Sequence, residues 1–95
     1  MKRTLLKTKA FIKSAKDFIT SHPDKAETIS NTLNTLYENM YEPGLKIHKL
    51  KGKMKGLYAC SAGFDVRIVF ELIKDSKTGN EAILLEAIGT HEEVY

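Results

Sequence analysis

The sequence predicts an α+β domain: a short N-terminal strand, a two-helix hairpin, and then a three-stranded antiparallel meander, all forming one mostly antiparallel sheet. Two patterns support this prediction. Apolar residues recur at helical spacing in the first half of the chain, whereas the second half has short, almost continuously apolar runs typical of buried strands. A chain of 95 residues can bury one small core, so we expect residues 1–95 to form a single domain.

The N-terminal half is predicted to contain the first strand and both helices. The strand spans residues 3–6, and Thr8 follows it where a helix cap is expected. The first helix ends at His22-Pro23, because proline disfavours a helical residue before it and fits the first turn of a new helix. The second helix is predicted to end at Pro43-Gly44. The predicted inward stripes comprise Ala10, Phe11, Ser14, Ala15, Phe18 and Ile19, then Ala26, Ile29, Leu33, Leu36, Tyr37 and Met40.

The C-terminal half is predicted to form three strands, at residues 57–62, 66–73 and 82–88. The segment KDSKTGN, between the last two, supplies the glycine and asparagine that a hairpin loop favours. Side chains alternate between the two faces of a strand, so one face must pack against the helices. We expect that inner face to comprise Ile68, Phe70, Leu72, Ile83, Leu85 and Ala87.

Positive charge is concentrated in the middle of the chain. The formal net charge is +3, yet residues 41–60 contain five basic side chains and one acidic one, whereas residues 61–95 contain three and seven. Such a cluster favours a polyanion through counterion release, although a solvated loop explains the charge equally well. The candidate RNA-binding residues are Lys46, Lys49, Lys51, Lys53 and Lys55.

Several classes of protein are disfavoured by composition. No apolar run approaches the roughly 18 to 20 residues that span a bilayer, and the start MKRTLLKTKAF lacks the features of a secretory signal. We therefore expect a cytoplasmic protein without membrane contact. Cys60 is the single cysteine and is interpreted as a buried strand residue. His22, His48 and His91 lack the short spacing of a metal site, so we expect neither metal nor cofactor.

Four motifs in the second half resemble the RelE/ParE superfamily of bacterial toxins, and within it the YafQ-like ribonuclease branch. They are HKLKG, KGLYAC, FDVRIVF and IGTHEEVY, and the order of elements also agrees. The resemblance implies a toxin of a type II toxin–antitoxin system that cuts translated mRNA on the ribosome. It also implies a cognate antitoxin partner, through which the complex binds its own operator DNA.

The family's functional residues carry over in part. His48 in HKLKG, Asp65 before the long strand and His91 in GTHEEVY match residues of the YafQ-like pattern, and Tyr95 takes the place of its terminal aromatic residue. Arg67 matches an arginine common in the superfamily. Two positions depart from the pattern: Ser61 replaces a histidine, and Val66 replaces an aromatic side chain. We expect Ser61 to face the same groove as Asp65 and Arg67, because their strand positions allow it.

These residue types suit RNA cleavage without a metal ion. The reaction needs a base for the 2′-hydroxyl proton, a cation to stabilise the phosphorane, and an acid to protonate the departing 5′-oxygen. Histidine suits both proton transfers near neutral pH. We assign His91 as acid and His48 as base, with Asp65 as an alternative base or as the residue that orients a histidine. Arg67 can hold phosphate through two hydrogen bonds, and Tyr95 can stack on a base.

Other interpretations remain open at this stage. Arg67 could pair with Glu86 on a neighbouring strand, and Asp65 could be a turn residue only. The chain could also be a ParE-like toxin that binds DNA gyrase without catalysis, or a catalytically inactive RNA-binding relative. His48 and His91 favour the ribonuclease, because an inhibitor of gyrase has no need of paired proton-transfer groups.

Overall fold

The computed structural model describes residues 3–63, 65–90 and 94. It contains two α-helices, α1 (Lys9–Ser21) and α2 (Ala26–Glu38). Three short 3₁₀ turns lie at Pro23–Lys25, Pro43–Leu45 and Gly52–Met54. The strands are β1 (Thr4–Lys7), β2 (His48–Lys49), β3 (Tyr58–Ser61), β4 (Val66–Lys74) and β5 (Glu81–Thr90).

The strands form one sheet in the order β1-β5-β4-β3-β2. Strand β1 runs parallel to β5, and the other neighbours are antiparallel. The predicted α+β class, helical hairpin and meander are therefore confirmed. Strand β2 was not predicted, because two residues are too few to show an alternating pattern. It pairs His48 with Ala59 and Lys49 with Tyr58, and so attaches part of the lysine-rich segment to the sheet.

Thr8 joins the first helix to the sheet. Its hydroxyl oxygen accepts a hydrogen bond from the Phe11 backbone N–H at 3.0 Å, which is the predicted N-cap. The same hydroxyl donates to the Leu85 carbonyl oxygen at 2.9 Å. At the other end of α1, the His22 N–H donates to the Phe18 carbonyl at 2.8 Å, and Pro23 begins the next turn. His22 is thus a helix-boundary residue, as the sequence predicted.

The core lies between the helices and one face of the sheet, which we call the inner face. Both layers contribute large side chains to it, including Phe11, Phe18, Ile29, Leu36, Ile68, Phe70, Ile83 and Leu85. Phe70 is fully buried and stacks on Tyr58 with 5.7 Å between ring centroids. Of the predicted inner-face residues, Ile68, Phe70, Ile83 and Leu85 are confirmed as part of the core. Leu72 is partly buried and packs against the same cluster.

The prediction for Ala87 was wrong because of an irregularity in the sheet. Val69 pairs with Ala87, but the next residue, Phe70, pairs with Leu85, so Glu86 is an extra residue in β5. Such a bulge reverses the alternation of side chains beyond it. Ile88, which is 4% exposed, consequently occupies the inner face in place of Ala87.

Candidate functional site

The candidate site lies on the face of the sheet opposite the core, which we call the open face. Strand β4 alternates between the two faces, so Arg67 and Glu71 point away from Ile68 and Phe70. Residues directly opposite in neighbouring strands share a face. Ser61 is opposite Arg67, and His48 is opposite Ala59, two residues before Ser61. The register therefore places His48, Ser61 and Arg67 on the open face.

A pocket of about 560 Å³ lies at the end of this face and is called the Arg67 pocket here. Ser61 and Arg67 line it from β3 and β4, and Gly63 and Asp65 line it from the connection between those strands. Gly44 and Lys46 complete the lining from the segment before β2. The expectation that Ser61, Asp65 and Arg67 face one groove is thus confirmed, and Lys46 adds a second cation.

The tight connection between β3 and β4 positions Asp65. The Ala62 N–H donates to the Val66 carbonyl at 2.9 Å, which closes the turn. Gly63 and Asp65 have φ values of 88° and 58°. Aspartate tolerates this left-handed conformation better than most residues, because its short side chain can bond locally. A Cβ at Gly63 would lie 3.3 Å from Thr28 Cγ2, so glycine lets the turn approach α2 closely.

Arg67 is half-buried and fixed by one hydrogen bond. Its Nη1 donates to the Val66 carbonyl oxygen at 3.0 Å. The alternative pairing with Glu86 is wrong: within the described part of the chain, no ion pair joins these two side chains, and the residue opposite Arg67 on β5 is Gly89. The sequence pattern predicts which face each strand residue occupies but not which residues of β4 and β5 lie opposite one another.

His48 is exposed on β2, and its ring is oriented by the preceding segment. The Nδ1 atom lies 3.1 Å from the carbonyl oxygen of Lys46. A carbonyl oxygen only accepts hydrogen bonds, so this contact requires the proton to be on Nδ1. In the neutral ring, Nε2 then carries the lone pair. That tautomer suits a base acting through Nε2.

The remaining lysines lie beside His48. Lys49 belongs to β2, and Lys51, Lys53 and Lys55 occupy the segment between β2 and β3; all four are exposed. From residue 43 to residue 63 the sequence contains no acidic side chain. The positive charge of this segment is therefore not offset by acidic residues within it.

Two predicted site residues, His91 and Tyr95, lie outside the described residues. The site seen here consequently consists of His48, Asp65 and Arg67 with the lysines. Cys60 is buried in the core, and burial raises the pKa of its thiol to about 12. It is a core residue, as its sequence context indicated.

Sequence reasoning missed a pair of carboxyl groups on the open face. Burial raises the pKa of Glu86, and the charge of Glu71 and a hydrogen bond with it raise that pKa further. The sequence alone does not reveal this pair, because the contact depends on the register between β4 and β5. Among the residues described, no group of three His, Cys, Asp or Glu could hold a metal ion. Nor is any described helix long and apolar enough to cross a membrane.

No protein-family model and no curated protein sequence matches the chain. Solved structures do. YafQ from E. coli matches with a TM-score of 0.78 at 17% identity, covering 98% of each chain. The E. coli DinJ–YafQ toxin–antitoxin complex matches with a TM-score of 0.76 at 18% identity, covering 100% of this chain and 99% of that one. The copper-bound form of a mutant toxin from Helicobacter pylori gives 0.72 at 27% identity, covering 100% of both.

These matches define the class of fold. The chain has the fold of the RelE/ParE-type toxins. Its structural neighbours include YafQ, as the sequence motifs predicted.

Proposed function

We propose that this protein is the toxin of a type II toxin–antitoxin system and a ribosome-dependent endoribonuclease that cuts translated mRNA. The observation that carries the proposal is the open face, where His48 stands beside a pocket lined by Lys46, Asp65 and Arg67. A base, an orienting carboxylate and two cations next to one cavity are what attack on a phosphodiester requires. The fold shared with YafQ supports the same class.

In this mechanism His48 Nε2 takes the proton of the 2′-hydroxyl, and the oxygen attacks the adjacent phosphorus. Arg67 and Lys46 stabilise the charge that develops on the phosphorane oxygens. His91 protonates the departing 5′-oxygen, so the products are a 2′,3′-cyclic phosphate and a free 5′-hydroxyl. Asp65 is the alternative base or orients the histidine that acts as base. Tyr95 stacks on a base next to the cut.

The proposed partners follow from the same class. The DinJ–YafQ neighbour is a toxin bound to its antitoxin, and we propose that a cognate antitoxin likewise silences this chain. The complex would bind its own operator DNA through the antitoxin. The exposed lysines Lys49, Lys51, Lys53 and Lys55 would hold the ribosome and its message, and the site of action would be the cytoplasm.

Primer extension on a message translated with the purified protein tests this function. Wild type should produce discrete stops within the reading frame, and only when ribosomes translate the message. His48→Ala and Arg67→Gln should lose about 10² to 10⁴-fold in cleavage rate. Lys16→Gln, an exposed charge on α1, is the control and should cleave normally.

Absence of stops with the wild type would refute the nuclease. Inhibition of DNA gyrase by that same preparation would then favour the ParE-like alternative. Binding to RNA without either activity would favour an inactive RNA-binding relative.

A further inference from the structure

A second pocket, of about 470 Å³, lies at the other end of β3 and shares no lining residue with the Arg67 pocket. We call it the lysine-loop pocket. Leu50, Leu57 and Tyr58 provide its apolar wall. Lys49, Lys51 and Lys55 stand around that wall. The pocket therefore combines apolar surface with positive charge.

Hydrogen bonds close the loop that forms this pocket. The Leu50 N–H donates to the Leu57 carbonyl at 2.9 Å, and the Leu57 N–H donates to the Met54 carbonyl at 3.0 Å. Within the loop, the Lys55 N–H donates to the Gly52 carbonyl at 3.1 Å. Gly52 and Gly56 have φ values of 69° and 93°, which glycine adopts readily. The pocket is thus formed by an ordered loop and requires little rearrangement to receive a ligand.

The lining chemistry selects the kind of ligand. Three lysines favour an anion, and the wall of Leu50, Leu57 and Tyr58 favours a flat or apolar group beside that anion. Of these six side chains, only the Tyr58 hydroxyl can accept a hydrogen bond. These side chains therefore favour an anionic ligand. A nucleotide brings a phosphate for the lysines and a base for the apolar wall.

The position of the pocket relates it to the candidate site. Strand β3 begins with Tyr58 at the lysine-loop pocket and ends with Ser61 at the Arg67 pocket. Three residue steps in a strand span about 10 Å. His48 pairs with Ala59, between those ends. Tyr58 and Ser61 point to opposite faces of the sheet, and β2, which carries His48, is the edge strand beside them. A single strand of RNA that crosses this edge could therefore contact both pockets and His48.

We propose that the lysine-loop pocket binds the unstacked base of a nucleotide that flanks the cleaved bond in single-stranded RNA. Lys49, Lys51 and Lys55 hold the neighbouring phosphates. The inference that this nucleotide flanks the cut rests on the proposed function. Binding of the base is independent of cleavage and is measured without ribosomes.

The experiment is equilibrium binding of a fluorescein-labelled, single-stranded RNA octamer, compared with octamers in which one nucleotide at a time is abasic. One abasic position should weaken binding to the wild type by about five- to a hundredfold, the loss expected when one stacked base is removed. Leu50→Ser with Leu57→Ser removes apolar wall but no charge. This variant should bind the intact and abasic octamers equally.

Two further variants complete the design. Lys51→Gln with Lys55→Gln leaves the apolar wall in place and should reduce the salt dependence of binding while keeping sensitivity to the abasic position. Arg67→Gln, at the other pocket, should also keep that sensitivity. Circular dichroism and thermal melting establish that each variant is folded, and if the double serine variant unfolds, Leu57→Ala alone replaces it.

The proposal is overturned if no abasic position weakens binding to the wild type, or if the serine variant keeps the full effect. Displacement of the RNA from this loop by an acidic, apolar peptide or by phosphatidylserine vesicles, without any abasic effect, would assign the pocket to that ligand instead. If the wild type shows no abasic effect but cleaves translated mRNA normally, only the base-binding role of this pocket is refuted. If the wild type shows the abasic effect but does not cleave translated mRNA, only the proposed nuclease activity is refuted.

Discussion

The two faces of strand β4 contrast in burial and in chemistry. Ile68 and Phe70 are 0% exposed on the inner face, whereas Arg67 and Glu71 on the open face are half-buried. Arg67 and Ile68, although adjacent, therefore belong to two environments, one partly accessible from solvent and one packed against the helices; Val69 on the open face is itself 1% exposed. Stability and the proposed chemistry therefore depend on different side chains, so substitutions should be able to separate them.

The largest effect is expected at the centre of the inner face. Phe70→Ala removes a fully buried ring that stacks on Tyr58, and such substitutions reduce the free energy of unfolding by about 3 to 5 kcal/mol. That loss is a large share of the roughly 5 to 15 kcal/mol typical of a small protein. Urea denaturation measures it. Glu71→Ala, the next residue on the opposite face, is the control and should change stability little; equal losses would contradict the separation of faces.

The second prediction changes chemistry on the open face. Ser61 lines the Arg67 pocket where the YafQ-like pattern has a histidine, and a serine side chain does not titrate near neutral pH. Ser61→His should raise the single-turnover cleavage rate on programmed ribosomes, by less than about 10²-fold, because His48 and Asp65 supply part of the function. The matched control is Ser61→Ala, which should cleave like the wild type. Identical rates and pH profiles for all three proteins would show that position 61 takes no part.

A smaller loss of stability is expected where the helix α1 is joined to the sheet. Thr8→Ala removes the N-cap of α1 and the hydroxyl's bond to Leu85, so the free energy of unfolding should fall by about 1 to 2 kcal/mol. Thermal unfolding detects this loss. Thr20→Ala is the control, because its exposed hydroxyl bonds only to Lys16 one turn earlier. A Thr8 variant as stable as that control would show that the cap contributes nothing.

The smallest effect concerns Glu86 and depends on pH. Burial, and then the charge of Glu71 and a hydrogen bond with it, raise the pKa of Glu86, so the folded state binds its proton more readily than the unfolded state. Its contribution to stability is thus present at low pH and is lost as the pH rises through the raised pKa. Glu86→Gln should stabilise the protein at pH 7 by less than about 1 kcal/mol, since Glu86 is partly solvated. The difference should vanish near pH 3.

Urea titrations at both pH values measure the difference between wild type and Glu86→Gln. Glu81→Gln provides the matched control on the same strand, because Glu81 pairs with Arg3 at 3.1 Å and its loss should destabilise. If Glu86→Gln were stabilised equally at both pH values, the raised pKa of Glu86 would not be the cause.

Local pattern was enough to predict most of the fold. Helical spacing, the Thr8 cap and the His22-Pro23 break set α1 and α2 within a few residues, and the apolar runs located β3, β4 and β5. The errors arose where structure depends on distant residues. The bulge at Glu86 depends on the pairing of β4 with β5, and β2 forms only because β3 offers it a partner.

The candidate site could be predicted by residue type but not by arrangement. Asp65, Arg67 and Ser61 meet in one pocket as their strand positions indicated, whereas the role of Lys46 in that pocket and the Nδ1 contact of His48 arise from the fold of the segment before β2. Arg3 was likewise assigned to a strand on local pattern. It lies just before β1 and is buried, with its guanidinium bonded to Glu81 and Tyr41.

The most direct test compares Arg67→Gln with Ile68→Ala, neighbours in sequence on opposite faces of β4. For each variant, urea denaturation gives the free energy of unfolding, and primer extension on a translated message gives the cleavage rate at a temperature where both variants are folded. Arg67→Gln should keep wild-type stability and lose about 10² to 10⁴-fold in cleavage, whereas Ile68→Ala should lose about 2 to 5 kcal/mol and still cleave. An Arg67→Gln protein that is folded and cleaves at the wild-type rate would contradict the account.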